Sequence, residues 1–122
     1  METVSLFGRS VLIVEDEPLI ALDIALEFEK VGACVHTAYS LAEATKLVER
    51  DDLAAAVMDF GLGDGYADAL CARLTGRNIP FVLHSGYSHL GPGSNGGAVV
   101  PKPANPSALI AAVCDMLSSK QH

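Results

Sequence analysis

Basic residues are scarce in this sequence of 122 residues: eight lysines and arginines face fifteen aspartates and glutamates, for a formal charge of −7. That balance leaves no cationic surplus to displace counterions from a phosphate backbone, which argues against a nucleic-acid-binding module. Cysteine is sparser still. Cys34, Cys71 and Cys114 are odd in number and widely spaced, with no CxxC pair or Cys/His ligand cluster. Buried thiols are the simpler reading, and neither a redox nor a zinc role is supported. No apolar run reaches membrane-spanning length, and the start METVSLFGRS lacks the basic and apolar regions of a signal peptide. Retention in the cytoplasm, with no membrane partner, is the default expectation.

What is present suits one globular domain over residues 1–122, since 50% of residues are hydrophobic and 19% charged. Short β-like runs alternate with helical patterns, the signature of a parallel sheet covered on both faces. Val11 to Val14 form an apolar run that stops at Glu15-Asp16-Glu17, as a buried central strand does at a sheet edge. Pro18 suits the first turn of a helix in which Ile20, Ile24, Phe28 and Val31 share one face, and Gly32 stops it. Cys34 to Ala38 read as a second strand. Ser40 with Glu43 forms a capping box for a helix turning Leu41, Ala44, Leu47 and Val48 inward. A third strand over Ala54 to Met58 ends at Asp59. A third helix spaces Ala67, Leu70, Cys71 and Leu74 on one face and closes at Gly76, and Phe81 to His84 make a fourth strand.

The rhythm then breaks. SHLGPGSNGG, between Tyr87 and Ala98, carries four glycines and a proline in ten residues. A regular three-turn helix needs about eleven residues and tolerates neither feature, so a loop or a single turn is expected there. Ala98 to Val100 suit a short fifth strand, and Asn105-Pro106 opens a last helix with Leu109, Ile110, Val113, Met116 and Leu117 inward.

In a sheet of this kind function concentrates beyond the carboxyl ends of the strands. There lie Glu15 and Asp16 after strand one, Asp59 at strand three, Ser85 at strand four and Lys102 after strand five. Three carboxylates within about 4 Å would repel by roughly 4 kcal/mol per pair at an effective dielectric near 20, so the cluster calls for a cation. Hard oxygen ligands suit Mg2+, which keeps waters and accepts phosphate oxygens. Asp59 is then a nucleophilic carboxylate toward a phosphoryl group, with Lys102 offsetting charge on the transferred oxygens and Ser85 hydrogen-bonding one of them. Each residue has an ordinary alternative when taken singly: a solvated or helix-capping acid, a surface lysine, a turn serine. Their joint placement at four strand ends favours the site.

The segments VLIVEDEP, VMDFGL, FVLHSG and VPKP resemble the successive signatures of response-regulator receiver domains, the CheY-like superfamily, over nearly the whole chain. The resemblance implies an α/β, flavodoxin-like doubly wound fold with five parallel strands in the order 2-1-3-4-5. It also implies Glu15 and Asp16 as the acidic pair, Asp59 as phosphoacceptor, Ser85 as switch hydroxyl and Lys102 as phosphate-sensing lysine. Metal ligation would fall to Asp16, Asp59 and the Gly61 carbonyl, with Glu15 acting through water. The phosphodonor would be a sensor histidine kinase or a histidine phosphotransfer protein. PFVLHSGY also resembles the PFxFATGY motif of a receiver subgroup found in alphaproteobacteria, often as stand-alone domains with an altered helix between strands four and five.

Departures from the family pattern bear on how a signal would spread. Glu15 stands for the commoner aspartate, and Val99 for the aromatic often found three residues before the lysine. Tyr87 is a candidate for part of that signal, or simply a loop tyrosine. The missing or shortened helix between strands four and five removes part of a common dimer face, so a familiar dimer is not assumed. His84 adjoins the site and is a candidate to influence acyl-phosphate hydrolysis through a water, but strand alternation turns it away from Ser85 and favours a packed or surface histidine; His36 and His89 carry no motif.

A signalling module that docks to other proteins is thus expected, not an enzyme for an external substrate, although it could catalyse its own phosphorylation and dephosphorylation. Only SSKQH follows the last helix, and the initial methionine favours a complete protein. The leader LFGRS also fits a remnant linker in a hybrid kinase. A Mg2+-dependent aspartyl-phosphate phosphatase is disfavoured because Asp59-Phe60-Gly61 has no second acid and no cap domain is encoded.

Overall fold

The β-branched and alanine-rich runs of this chain form strands, the central ones buried on both faces, and the segments between them pack back as helices. In the computed structural model, residues 5–50, 52–59, 68–85, 98–101 and 105–120 are described. The order is β1 (Ser10–Val14), α1 (Pro18–Lys30), β2 (Cys34–Ala38), α2 (Leu41–Leu47), β3 (Leu53–Asp59), α3 (Asp68–Gly76), β4 (Phe81–Ser85), β5 (Ala98–Pro101) and α4 (Pro106–Lys120). The strands are parallel and lie in the order β2-β1-β3-β4-β5. This is a flavodoxin-like α/β arrangement. The glycine-rich segment 88–97, Tyr87, Ala67, Gly61 and Lys102 lie outside the described residues.

Strand alternation splits the core in two. Leu12, Val14, Ala56, Met58 and Leu83 meet Ala44 of α2, Val48 just after it, and Leu70, Cys71 and Leu74 of α3. Val11, Ile13, Ala55, Val57 and Val82 meet Ile24 and Phe28 of α1 and Leu109, Val113 and Leu117 of α4. All five residues of β1 are buried, as a central strand requires. Phe28 is wholly buried, and truncating such a side chain to alanine typically costs about 3–5 kcal/mol.

The inward face of α1 differs from the expected one. Ala21, Ile24, Ala25 and Phe28 are buried, whereas Ile20 and Val31 are 42% and 43% exposed. The helix is apolar around most of its circumference, so periodicity alone does not fix its rotation. The two alanines go inward because their small side chains let the backbone approach the sheet. Leu19, Leu22 and Leu26 are left exposed.

Helix ends follow local chemistry. In α1, Gly32 at φ +90° carries the left-handed turn. Gly32 N–H donates to the Glu29 carbonyl at 2.9 Å and Ala33 N–H to the Phe28 carbonyl at 3.1 Å, the paired bonds of a Schellman ending. A Cβ on Gly32 would also run into the ring of Phe7. At the end of α3 the same turn is made by Asn78, at φ 63°, and not by Gly76, which belongs to the helix. Asn78 N–H donates to Thr75 at 3.0 Å and Ile79 N–H to Leu74 at 2.9 Å. The Ser40 hydroxyl accepts from Glu43 N–H at 3.1 Å as an N-cap. The Glu43 carboxylate reaches one residue further back than a capping box does, accepting from Tyr39 N–H at 2.7 Å.

The cysteines are not uniformly buried, as had been expected: Cys71 is buried, Cys114 is intermediate, and Cys34 is exposed at the start of the edge strand β2. Burial, with Asp68 beside it, pushes the Cys71 thiol up to about 12. No helix among the described residues is long and apolar enough to cross a membrane.

Candidate metal centre

The carboxyl edge of the sheet is where the chain abandons apolar residues. Glu15 follows β1 directly, and its N–H extends the ladder by donating to the Ala38 carbonyl at 3.0 Å. Held in this way, Glu15 is only 2% exposed. Its Oε2 accepts from Glu17 N–H at 3.1 Å. Glu17 in turn caps α1, its Oε1 accepting from Leu19 N–H at 3.3 Å. The abrupt change from strand to helix at Pro18 thus aims the acidic pair across the edge toward the next strand.

That strand is β3, which ends in Asp59, 9% exposed. One carboxylate oxygen from each of Glu15, Asp16 and Asp59 lies within 4.8 Å of the others. Glu15 and Asp59 are held in the protein surface while Asp16 faces solvent. Three acidic oxygens gathered so closely make an all-oxygen donor set for a hard divalent cation, with room for water or phosphate ligands on the solvent side.

Of the residues named from the sequence, the fold brings these three together. Ser85 closes β4, the strand next to β3. Lys102 follows the last residue of β5 and, with Gly61, falls outside the described residues.

One further buried polar residue stands at this edge. His84 is the register partner of Asp59 and only 6% exposed. Val57 and Val82 lie in the core beneath α1 and α4, and Met58 and Leu83 in the opposite core, so alternation returns Asp59 and His84 to the α1/α4 face together. Comparing His84 with Ser85 alone points away from the site. The β3–β4 register is the signal that points toward it.

No family model matches the chain, and no curated protein does. Solved structures match closely in shape. A CheY-like response-regulator receiver domain protein from Methanospirillum hungatei has 24% identity and a TM-score of 0.84, covering 93% of this chain and 97% of that one. A response-regulator receiver protein from Sinorhizobium medicae has 24% identity and a TM-score of 0.83, covering 95% and 99%. A response-regulator protein from Burkholderia pseudomallei, solved with a phosphorylated aspartic acid, a calcium ion and citrate, has 25% identity and a TM-score of 0.79, covering 93% and 71%. The fold of this chain is that of response-regulator receiver domains.

Proposed function

We propose that this chain is a receiver domain of a two-component or phosphorelay system, in which Asp59 accepts a phosphoryl group. The observation that carries this reading is the convergence of Glu15, Asp16 and Asp59 oxygens within 4.8 Å at the carboxyl edge of a receiver fold. The matched protein with a phosphorylated aspartic acid and a calcium ion supports both the reaction and the need for a divalent cation.

In this reading an Asp59 carboxylate oxygen attacks phosphorus in line with the leaving group. With a phosphohistidine donor a P–O bond forms as the P–N bond breaks, and the departing imidazole nitrogen takes up a proton. Asp16, Asp59 and the Gly61 carbonyl would hold Mg2+, with Glu15 acting through water, and the ion would supply positive charge to the transferred oxygens. Ser85 supplies a hydroxyl to one phosphoryl oxygen and Lys102 a compensating cation. The domain catalyses only its own phosphorylation and dephosphorylation.

The donor is a protein, a histidine kinase or a phosphotransfer protein in the cytoplasm of a bacterium. Leu19, Leu22 and Leu26 support this, because they form an exposed apolar stripe on a helix that begins beside the acidic cluster. The PFVLHSGY segment supports a place in the alphaproteobacterial stand-alone subgroup.

Intact mass after incubation with acetyl phosphate and Mg2+ tests the reading. The parent is expected to gain one labile phosphoryl adduct and Asp59→Asn none. Folded, Mg2+-loaded parent that gains no adduct from acetyl phosphate or a kinase would refute it, and turnover of an external phosphate ester would mark a phosphatase instead.

A further inference from the structure

A chain of hydrogen bonds runs from the sheet edge into α1. Glu15 N–H donates to the Ala38 carbonyl at 3.0 Å, which anchors the Glu15 backbone to β2. Its Oε2 accepts from Glu17 N–H at 3.1 Å, and Glu17 Oε1 accepts from Leu19 N–H at 3.3 Å. The Glu17 carbonyl accepts from Ala21 N–H at 3.0 Å, the first rung of the helix. Pro18 at the first helical position stiffens the backbone between them. Neither the N–H that meets the Glu15 carboxylate nor the backbone that carries that carboxylate can shift without breaking a strand bond or a helix bond.

Glu15 needs such a hold more than an aspartate would, because its side chain has one more rotatable bond and an unrestrained carboxylate would sweep a wider arc. A carboxylate buried at 2% exposure also costs free energy unless it is hydrogen-bonded. The Glu17 N–H meets both needs: it stabilises the anion and commits Oε2 to one direction. The effect on a cation follows from the coordination habits of hard divalent ions. Mg2+ keeps its waters in a strict octahedron and is served by a carboxylate that stays at water distance, whereas Ca2+ takes about six to eight oxygens and draws carboxylates in through both of theirs. A carboxylate pinned by an N–H is a poor chelator of that second kind.

We propose that Glu17 is a positioning residue of the metal centre through its main-chain N–H, which holds the Glu15 carboxylate in one orientation and so shifts the preference of the site from Ca2+ toward Mg2+. This rests on the reading of the acidic cluster as a Mg2+ site. Glu17 acts through Glu15, while its own carboxylate serves the cap of α1. The backbone at position 17 therefore matters to the cation, and the side chain matters to the helix.

The test replaces the amide between Asp16 and Glu17 by an ester, which removes the N–H and keeps every side chain. Cys34 allows this by ligation of a synthetic segment 1–33 to residues 34–122. The full-length ester protein, the parent and Glu17→Ala are titrated with Mg2+ and with Ca2+ by calorimetry, with thermal melting in parallel. The ester protein is expected to bind Mg2+ about tenfold more weakly and Ca2+ within about threefold of the parent, so that its preference for Mg2+ falls. Glu17→Ala, which loses the cap but keeps the N–H, should melt lower and retain the parent's ratio of affinities. An unchanged ratio in the ester protein would overturn the proposal. So would an equal fall in Glu17→Ala, the mark of helix capping alone. Should the ester protein fail to fold, Glu17→Pro takes its place with the same outcomes, since the extended backbone there, at φ −93° and ψ 111°, lies near what proline adopts. A parent that binds neither cation would instead remove the metal-site reading, and this inference with it.

Discussion

The two edges of the sheet handle acidic side chains in opposite ways. At the amino edge Asp52 and Glu49 each meet a partner of complementary chemistry. Arg50 donates to both oxygens of Asp52 at 3.0 and 3.1 Å, and Arg73 donates to both oxygens of Glu49 at 2.7 and 2.6 Å. Arg77 ties the end of α2 to the same edge through the Val48 and Arg50 carbonyls. At the carboxyl edge the carboxylates of Glu15, Asp16 and Asp59 converge on one another. Pairing opposite charges serves the fold, weakly where solvent screens them. Gathering like charges works against the fold and is retained where a cation and its chemistry need it.

Three further measurements break or sharpen that contrast. The largest effect belongs to the divalent cation: Mg2+ at about one hundred times its dissociation constant should stabilise the parent by about 2.7 kcal/mol in chemical denaturation. Asp16→Asn should lose most of that gain, while Arg73→Met at the other edge keeps it. A gain of equal size in Asp16→Asn would remove Asp16 from the binding set.

Next comes the cost of the cluster itself. With Mg2+ chelated, Asp59→Asn removes one of three repelling carboxylates and should be more stable than the parent by roughly 1 kcal/mol, or about 4 °C in melting temperature. A less stable variant would mean that Asp59 serves the fold as well as the proposed reaction.

The smallest effect lies at the amino edge. The hydrogen bonds from Arg73 hold Glu49 below its ordinary value of 4.5, and those from Arg50, with Ser10, hold Asp52 below 3.8. A depressed carboxylate contributes stability that is complete above its unfolded value and is lost as pH falls through its folded one. Melting followed from pH 5 downward should therefore fall a little less steeply in Glu49→Gln than in the parent, and the difference should shrink in high salt. Identical acid limbs would show that the Arg73–Glu49 pair contributes nothing measurable.

The central strands and their edge residues were legible in the sequence because their apolar runs end directly on a polar residue, as Val14-Glu15 and Met58-Asp59 do. The rotation of α1 was not, since Leu19, Ile20, Leu22 and Leu26 compete with Ala21, Ile24 and Ala25, and only packing against the sheet decides. The turn after α3 was assigned to Gly76 on residue type, whereas Asn78 adopts the left-handed conformation, which asparagine tolerates better than most side chains. His84 is packed, as alternation within its strand allowed, but its pairing with Asp59 was not legible. Alternation within one strand says where a side chain does not point, but its neighbour is fixed by the register between strands, which no single segment encodes.

That register has a gauge at its far end. Asn78 and Ile79 lock the close of α3, and the Pro80 carbonyl accepts from Ala56 N–H at 3.1 Å just before Phe81 pairs with Ala56. From that fixed point β4 runs a set number of residues to the acidic edge. One residue inserted or deleted within the turn would slide β4 along β3 and bring a neighbour of His84 level with Asp59, with opposite facing. The spacing between a helix stop and a strand start, on the side of the sheet away from the acidic cluster, therefore selects which side chain Asp59 has for company.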